Sequence, residues 1–431
     1  MLSYFRQQLH LHFPTQTDFL IGLSGGVDSI VLLTLFAKLR QEIPLNLRAV
    51  HIHHGLSPNA NDWVAFCQSQ CAKLHIPLTI RYVTVEGKQG LEANARTARY
   101  NAIQTIIQPN EIFTTAHHLD DQVETFFLAL KRGSGVKGIS AMQAVSLWQN
   151  FTIFRPLLSS SKAEILAYAY QTNLCWIEDE SNQNIDFDRN FLRQQVLPTL
   201  NQRWNHFNQM VARTSQHCAD QQQLITELLN EELQQRIDPT NIQRLNITGF
   251  NTFSHLKQRQ LIRLWLEKNQ QLMPSQIQLE EIVNTMLKSN LDKNPEIILN
   301  NKVIRRYQQH LFITEKFPKI IERIEINLNI KETISLPHNL GNIKREFTEL
   351  IYTISSQSYR FMLPIELKDK LITLKLQPTG KVNYYKKLHR EEMKKIWQKN
   401  SVPVWKRPRT PVIFYKDQFV MVLNAFHKIS K

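Results

Sequence analysis

Six consecutive residues, Ser24, Gly25, Gly26, Val27, Asp28 and Ser29, place two hydroxyls, two glycines and a carboxylate between the apolar run DFLIGL and the helical run SIVLLTLFAKL. Where a strand passes into a helix, backbone N–H groups and the positive end of the helix converge on one point, and an anion fits there. The segment predicts a phosphate cradle. A Walker A loop would need a lysine that is missing here; Asp28 supplies instead a carboxylate able to share a metal ion with a phosphate. A serine-capped glycine turn would also start a helix, but it has no need of two serines, two glycines and an aspartate.

A second set of chemically able residues lies in TTAHHLDDQVETFFLALKRGSGVKG. Asp121 and Glu124 are three apart, so on a helix both carboxylates leave one face. Such a pair suits an ammonium group, and would equally complement a helix dipole. Arg132 to Gly138 form a flexible cationic loop able to close over a substrate or to contact RNA phosphate. Arg189 and Arg193, in NIDFDRNFLRQQVLP, stand one helical turn apart and could grip phosphate or carboxylate. Arg96 and Arg99 in LEANARTARY could reach phosphate or form surface ion pairs. His51, His53 and His54 in AVHIHHGLS read as nucleotide contacts or packing rather than a metal site, because no nearby Cys or carboxylate completes a shell. Ser161 and Glu164 have capping-box spacing and are assigned to structure.

These residues need a frame, and residues 18 to 200 alternate short β-rich runs (DFLIGL, NLRAVHI, LTIRYVTV, EIFTTAHH) with helical ones. That order predicts an α/β domain with a parallel, doubly wound, Rossmann-like sheet and a ligand at the C-terminal ends of its strands. From about 203 to 295 strand signals vanish, and ADQQQLITELLNEELQQRI and HLKQRQLIRLWLEKNQQL carry apolar residues at helical spacing. After NNKVIRRYQQHLFITE the chain turns β-rich and mixed, and ISLPHNLGNIKREF and VPVWKRPRTPVIFYKDQFVMVL read as strands and turns. The expected organisation is a catalytic domain at 1–210, an all-helical domain at 211–320 and a small α+β domain at 335–431.

Composition narrows the partners. The 431 residues hold 52 Lys and Arg against 37 Asp and Glu; of the surplus of +15, residues 361 to 431 carry +11, with 16 basic and 5 acidic residues. A basic field this localised suits a phosphate backbone. Only 12 glycines occur, nine of them before residue 140, Gly87 and Gly90 included, as if glycine were kept for positions whose backbone geometry requires it. No apolar stretch is long enough to span a membrane, no export signal is expected at the N-terminus, and four irregularly spaced cysteines suit a reducing cytoplasm.

SGGVDS resembles the loop of the ATP pyrophosphatases, which split ATP between its α- and β-phosphates. Together with VHIHHGLS, LEANARTARY, TAHHLDDQVETFFLALKRGSG, RPLL, the SN…RNFLR run and the tail KKLHREEMKKIWQKNSVPVWKRPRTPVIFY, it resembles the bacterial tRNA(Ile)-lysidine synthase family over nearly the whole chain. Val404 departs from a proline usual in that tail, and EANARTARY from the more usual EAARxARY. The resemblance implies adenylation by ATP of the wobble cytidine of the CAU-anticodon tRNA(Ile), followed by attack of free L-lysine. It also implies pyrophosphate at Ser24, Gly25, Gly26, Val27 and Ser29, Mg²⁺ shared with Asp28, and adenosine beside His51. Asp121 and Glu124 would hold the lysine ammonium, with Arg189 and Arg193 as further catalytic residues, and the +11 tail would hold the acceptor stem. Cytoplasmic location follows, and a homodimer is one assembly left open.

Three other readings compete with this one. A tRNA 2-thiolase of the same superfamily would carry sulfur on paired cysteines or an iron–sulfur cluster, but Cys67 and Cys71, three residues between them on one expected helix, read as core. A small-molecule ligase would not need the basic tail, and a non-catalytic RNA-binding protein would not need every position of the loop.

Overall fold

The computed structural model describes residues 1–55, 57–85, 91–287, 294–320 and 322–425. Leu56 of AVHIHHGLS, Gly87, Gly90 and the tail lysines Lys428 and Lys431 lie outside the described residues, and for Leu91 and Glu92 only the backbone is described. The chain forms two compact units, Met1–Ile225 and Thr226–Lys431.

In the first unit, α1 (Leu2–His12) leads into β1 (Asp18–Gly22), α2 (Val27–Leu39), β2 (Asn46–His53), α3 (Ala60–Lys73), β3 (Leu78–Tyr82), α4 (Leu91–Gln104), β4 (Ile112–Thr114) and α5 (Leu119–Lys131). A short α6 (Val136–Ile139), a hairpin of β5 (Val145–Trp148) and β6 (Phe151–Phe154), and α7 (Lys162–Gln171) follow. The sheet order is β3-β2-β1-β4-β6-β5. All pairs are parallel except β5 on β6, an antiparallel edge hairpin that the sequence reading did not foresee.

Burial explains why these runs are strands. Phe19 and Ile21 of β1 pack with α1, α2, α3 and α7 on one face, while Leu20 packs with Tyr100 and Ile103 of α4 on the other. A strand covered on both faces reads as an unbroken apolar run, as DFLIGL does. Helix α2 is buried along most of its length, so its hydrophobicity is not confined to one stripe. The unit closes with α8 (Asp188–Phe191), a π-helical turn at Leu192–Val196, α9 (Leu197–Arg203) and the start of α10 (Phe207–Arg236).

The middle of the chain is more mixed than the all-helical stretch expected there. Helices α10 and α11 (His255–Lys268) stand where helical spacing placed them, and a short α12 (Gln276–Glu281) follows. Strands β7 (Ile237–Asp238) and β8 (Asn241–Asn246) intervene and join β9 (Glu296–Leu299), β10 (Lys302–Tyr307) and β11 (His310–Glu315) in a five-stranded sheet, order β7-β8-β11-β10-β9. Leu261, Ile262 and Trp265 of α11 pack on Ile304, Leu311 and Ile313 of that sheet, and Trp265 Nε1 donates to the Ile242 carbonyl at 2.9 Å. NIQRLN is mostly polar, so only this tertiary pairing makes it a strand.

The remaining strands are β12 (Ile324–Leu328), β13 (Thr333–Ser335), β14 (Asn342–Glu346), β15 (Glu349–Ile354), β16 (Gln357–Met362), β17 (Ile372–Leu376), β18 (Lys381–Tyr384), β19 (Arg390–Glu392), β20 (Val412–Tyr415) and β21 (Gln418–Val422), with α13 (Met393–Lys399) after β19. They make a four-stranded meander, β13 to β16, and a six-stranded sheet, β12-β17-β20-β21-β18-β19. Both sheets share one core through Leu328, Ile343, Leu350 and Leu374. Arg345 is wholly buried there and donates to the carbonyls of Leu328, Phe347, Leu367, Lys368 and Lys370 at 2.7–3.3 Å.

Candidate active site

The loop after β1 is organised by Ser29. Its buried hydroxyl accepts the N–H groups of Ser24 (3.2 Å) and Gly25 (3.1 Å) and donates to the Gly26 carbonyl (2.9 Å), so Ser29 braces the turn from inside. Gly25 has φ +93°, the left-handed region that favours glycine, and a Cβ there would stand 2.9 Å from Ile177 Cδ1. Ile177 also donates its N–H to the Gly25 carbonyl at 3.0 Å. Val27 turns its side chain into the core and contributes only backbone to the loop. Asp28, in the first turn of α2, faces outward, and both its oxygens accept from Lys162 Nζ, at 2.7 and 2.9 Å.

His118, the residue before α5, stands between this loop and the acidic helix. Its Nε2 is 3.7 Å from Asp28 and 3.5 Å from Asp121, and its Nδ1 is 3.6 Å from Asp120. Burial opposes its charge, but Asp120, Asp121 and Asp28 outweigh burial and raise its pKa above the ordinary histidine value. Burial opposes the charge of Asp120 and Asp121 too, yet both stay below the usual carboxylate range because His118 lies against them. Asp120 further accepts the Lys162 N–H (2.8 Å) and Asn208 Nδ2 (3.1 Å), which ties α7 and α10 to the start of α5.

One turn further along α5, Glu124 is fully buried. Arg193 Nε donates to Oε1 at 2.6 Å and its Nη2 to Oε2 at 3.0 Å, while Arg189 Nε lies 3.4 Å from Oε2. Arg193 Nη2 also reaches Asp121 Oδ1 at 3.4 Å, and Arg189 Nη2 donates to Thr125 Oγ1 at 3.2 Å. Burial pushes the Glu124 carboxyl above its ordinary value, against the pull of Arg193. Asp121, Glu124, Arg189 and Arg193 thus form one charge cluster, and the arginine forks of the sequence reading grip carboxylate in this structure.

His51 is buried at the end of β2, its Nδ1 2.9 Å from the Leu23 carbonyl and 3.5 Å from Cys67 Sγ, so it supports the strand that carries the loop. His54 is pushed down to about 4 and His117 to about 3, in each case chiefly by burial and further by arginines, Arg99 for both and Arg155 and Arg96 for His117. Among the described residues no three His, Cys, Asp or Glu gather as metal ligands. Arg96 lies over the Tyr100 ring, 5.2 Å from its centroid. Ser161 and Glu164 form the expected capping box on α7. Lys162, the next residue, and His118 were missed: their partners lie in other segments, and only a cation at a helix start facing the same sheet edge could have hinted at them. The loop from Arg132 to Gly138 is closely folded, Gly133 at φ +63° and Ser134 bonded to the Ala129 carbonyl at 3.0 Å. Cys67 and Cys71 are core residues whose thiols burial raises to about 12 and about 11.

A doubly wound sheet whose first strand runs into a glycine-rich loop, with a carboxylate rather than a lysine at the following helix start, defines a PP-loop nucleotide-binding enzyme. Residues 2–200 match the PP-loop domain family, residues 245–312 the TilS substrate binding domain and residues 372–429 the TilS substrate C-terminal domain. The tRNA(Ile)-lysidine synthase of Actinobacillus pleuropneumoniae serotype 3 is 53% identical over 424 residues, 98% of this chain and all of that protein. That of Haemophilus ducreyi is 52% identical over 430 residues, 99% of this chain and 98% of its own. The chain belongs to the tRNA(Ile)-lysidine synthase family. Among solved structures, a tRNA thiolase from Methanococcus maripaludis with its 4Fe-4S cluster has a TM-score of 0.43 at 17% identity, covering 50% of this chain and 77% of that one, a likeness too slight to argue from.

Proposed function

We propose that the first unit uses ATP to adenylate the 2-carbonyl oxygen of the wobble cytidine in CAU-anticodon tRNA(Ile), releasing pyrophosphate, and then joins free L-lysine to that carbon, releasing AMP. The product is lysidine and the enzyme is a ligase. One arrangement carries the reading: His118 links Asp28 of the phosphate loop, 3.7 Å away, to Asp121 of the Asp121–Glu124 pair, 3.5 Å away. Each step thus has its own carboxylates within reach of the same base.

Mg²⁺ fits at Asp28, because that ion is commonly held by one or two carboxylates plus phosphate oxygens. Bound there it would neutralise charge on the leaving pyrophosphate. Lys162, now on both Asp28 oxygens, is placed to follow the phosphates, and the Gly25 and Gly26 backbone with Ser24 would line their path. In the second step the amine nitrogen bonds to C2 while the C2–O bond breaks and AMP leaves with the oxygen. The amine must first lose a proton, although an ordinary lysine holds it to a pKa of about 10.4 and carboxylates hold it harder. Glu124 offsets this, because burial makes its carboxyl a readier proton acceptor than an exposed one.

The second unit supplies the grip on the tRNA. Lys387, Arg390, Lys394 and Lys395 are exposed along β19 and α13 and suit a phosphate backbone remote from the wobble base, such as the acceptor stem. The expected setting is the cytoplasm, and sedimentation equilibrium would test the homodimer. Asp28→Asn tests the reading: pyrophosphate release with ATP and the tRNA transcript should fall by about a hundredfold or more with the fold intact. Release at the parental rate would sink it.

A further inference from the structure

We propose that Arg193 is a stand-in for the substrate's ammonium group: it fills the Asp121–Glu124 pair in the resting site, and lysine binds by displacing it toward the phosphate loop. The inference rests on the reading of that pair as the amine site. Asp121 and Glu124 face two guanidinium groups, Arg189 and Arg193, while the adjoining Asp28 and Asp120 face Lys162 and His118, so cations and carboxylates already match. An ammonium brought in with nothing leaving would add an unmatched cation beside a fully buried Glu124. An uncompensated buried charge is strongly unfavourable, so one guanidinium must give way.

The contacts single out which. Arg189 has an anchor outside the cluster, the Thr125 hydroxyl, and its side chain is 25% exposed. The hydrogen bonds of Arg193 among the described residues go to Glu124 and Asp121, and its side chain is 39% exposed, with an outward route that Glu124 lacks. Arg193 also sits within the π turn Leu192–Val196. Such a turn holds one residue more than an α turn and is found mostly as a single turn inside a helix, often at a functional site.

The destination is set by charge. Arg193 Nη2 lies 3.4 Å from Asp121, and His118 Nε2 stands 3.5 Å from Asp121 and 3.7 Å from Asp28, so the guanidinium lies close to the phosphate loop. A freed guanidinium fork matches a phosphate, and the phosphate at hand in the second step is that of the departing AMP. Arrival of the nucleophile then releases the group that stabilises the leaving group, and Glu124 loses its strongest cation at the moment it must accept a proton.

Calorimetry of L-lysine binding to the full chain, without ATP or tRNA, decides the matter. Arg193→Gln keeps a hydrogen bond to Glu124 and removes the charge. Its lysine Kd should fall by about tenfold or more, while single-turnover transfer from adenylated tRNA slows. Added ethylguanidinium should restore the weaker, parental affinity in Arg193→Ala; if that variant does not fold, the glutamine variant still decides. Unchanged or weaker lysine binding in Arg193→Gln, or none detectable in either protein, overturns the stand-in and makes Arg193 part of the pocket wall. If instead Glu124→Gln and Asp121→Asn leave parental lysine binding intact, the amine site itself is misplaced and both readings fall.

Discussion

At the scale of single residues, the two buried cysteines separate a lysidine synthase from a sulfur-transfer enzyme by a test that needs no substrate. A thiol of ordinary acidity is about a quarter ionised at pH 8, whereas one raised to about 12 is ionised in roughly one molecule in ten thousand. Cys175 is exposed and Cys218 half-buried, while Cys67 and Cys71 lie in the core. With a thiol reagent at pH 8, Cys175 should therefore react first and Cys218 next, with Cys67 and Cys71 reacting only on unfolding, as mass spectrometry of the labelled peptides would show. Fast labelling of Cys67 in the native protein would revive the sulfur-carrier reading. The same scale shows what a sequence can reveal of a site. Asp28, Asp121 and Glu124 stood out as candidates because a loop pattern and a three-residue spacing are local features of the sequence. Lys162 did not, since its partner Asp28 lies 134 residues away. His118 caps its own helix and faces three carboxylates from two segments, a meeting that no local pattern records.

At the scale of elements, the loop between β1 and α2 depends on one glycine more than on its neighbour. Gly25 needs a positive φ, and Ile177 occupies the space a side chain would take; a Cβ on Gly26 would meet its nearest atom, Ser24 Oγ, at 3.6 Å. Alanine at position 25 should cost about 1–2 kcal/mol in backbone strain alone and lower pyrophosphate release by about tenfold or more. Gly26→Ala should be milder, with thermal melts confirming that both variants fold. The reverse order would mean that close approach of substrate, not backbone conformation, sets the glycine requirement. Elements buried on both faces, such as β1 and α2, announce themselves by composition. Strand β8 and the π turn do not, because a polar hexamer becomes a strand only beside β11, and the extra residue of a π turn leaves no mark on apolar spacing.

At the scale of the whole molecule, charge rather than shape singles out the half proposed to grip the tRNA. The aromatics among the tail cations are structural: Trp397 is buried, Trp405 packs on Tyr307 and Phe312, and Tyr384 packs on Phe419. The lysines and arginines are the proposed contacts to the RNA. Reversing Lys387, Arg390 and Lys394 together to Glu should raise the tRNA Michaelis constant and flatten the log–log dependence of binding on salt by roughly one unit for each phosphate no longer neutralised. ATP binding should be untouched. An unchanged salt slope in filter binding would assign this basic face to solubility and move the tRNA elsewhere.

The buried Arg345 has a consequence for how this second unit comes apart. Its guanidinium collects carbonyls from β12, from the β14–β15 turn and from the segment between β16 and β17, one stretch from each sheet and the link between them. Withdraw any one and a full charge is left inside with carbonyl dipoles missing, a state a protein interior tolerates poorly. The meander and the six-stranded sheet are thereby welded into a single cooperative block, with no cheap partly open form in which one has melted and the other stands.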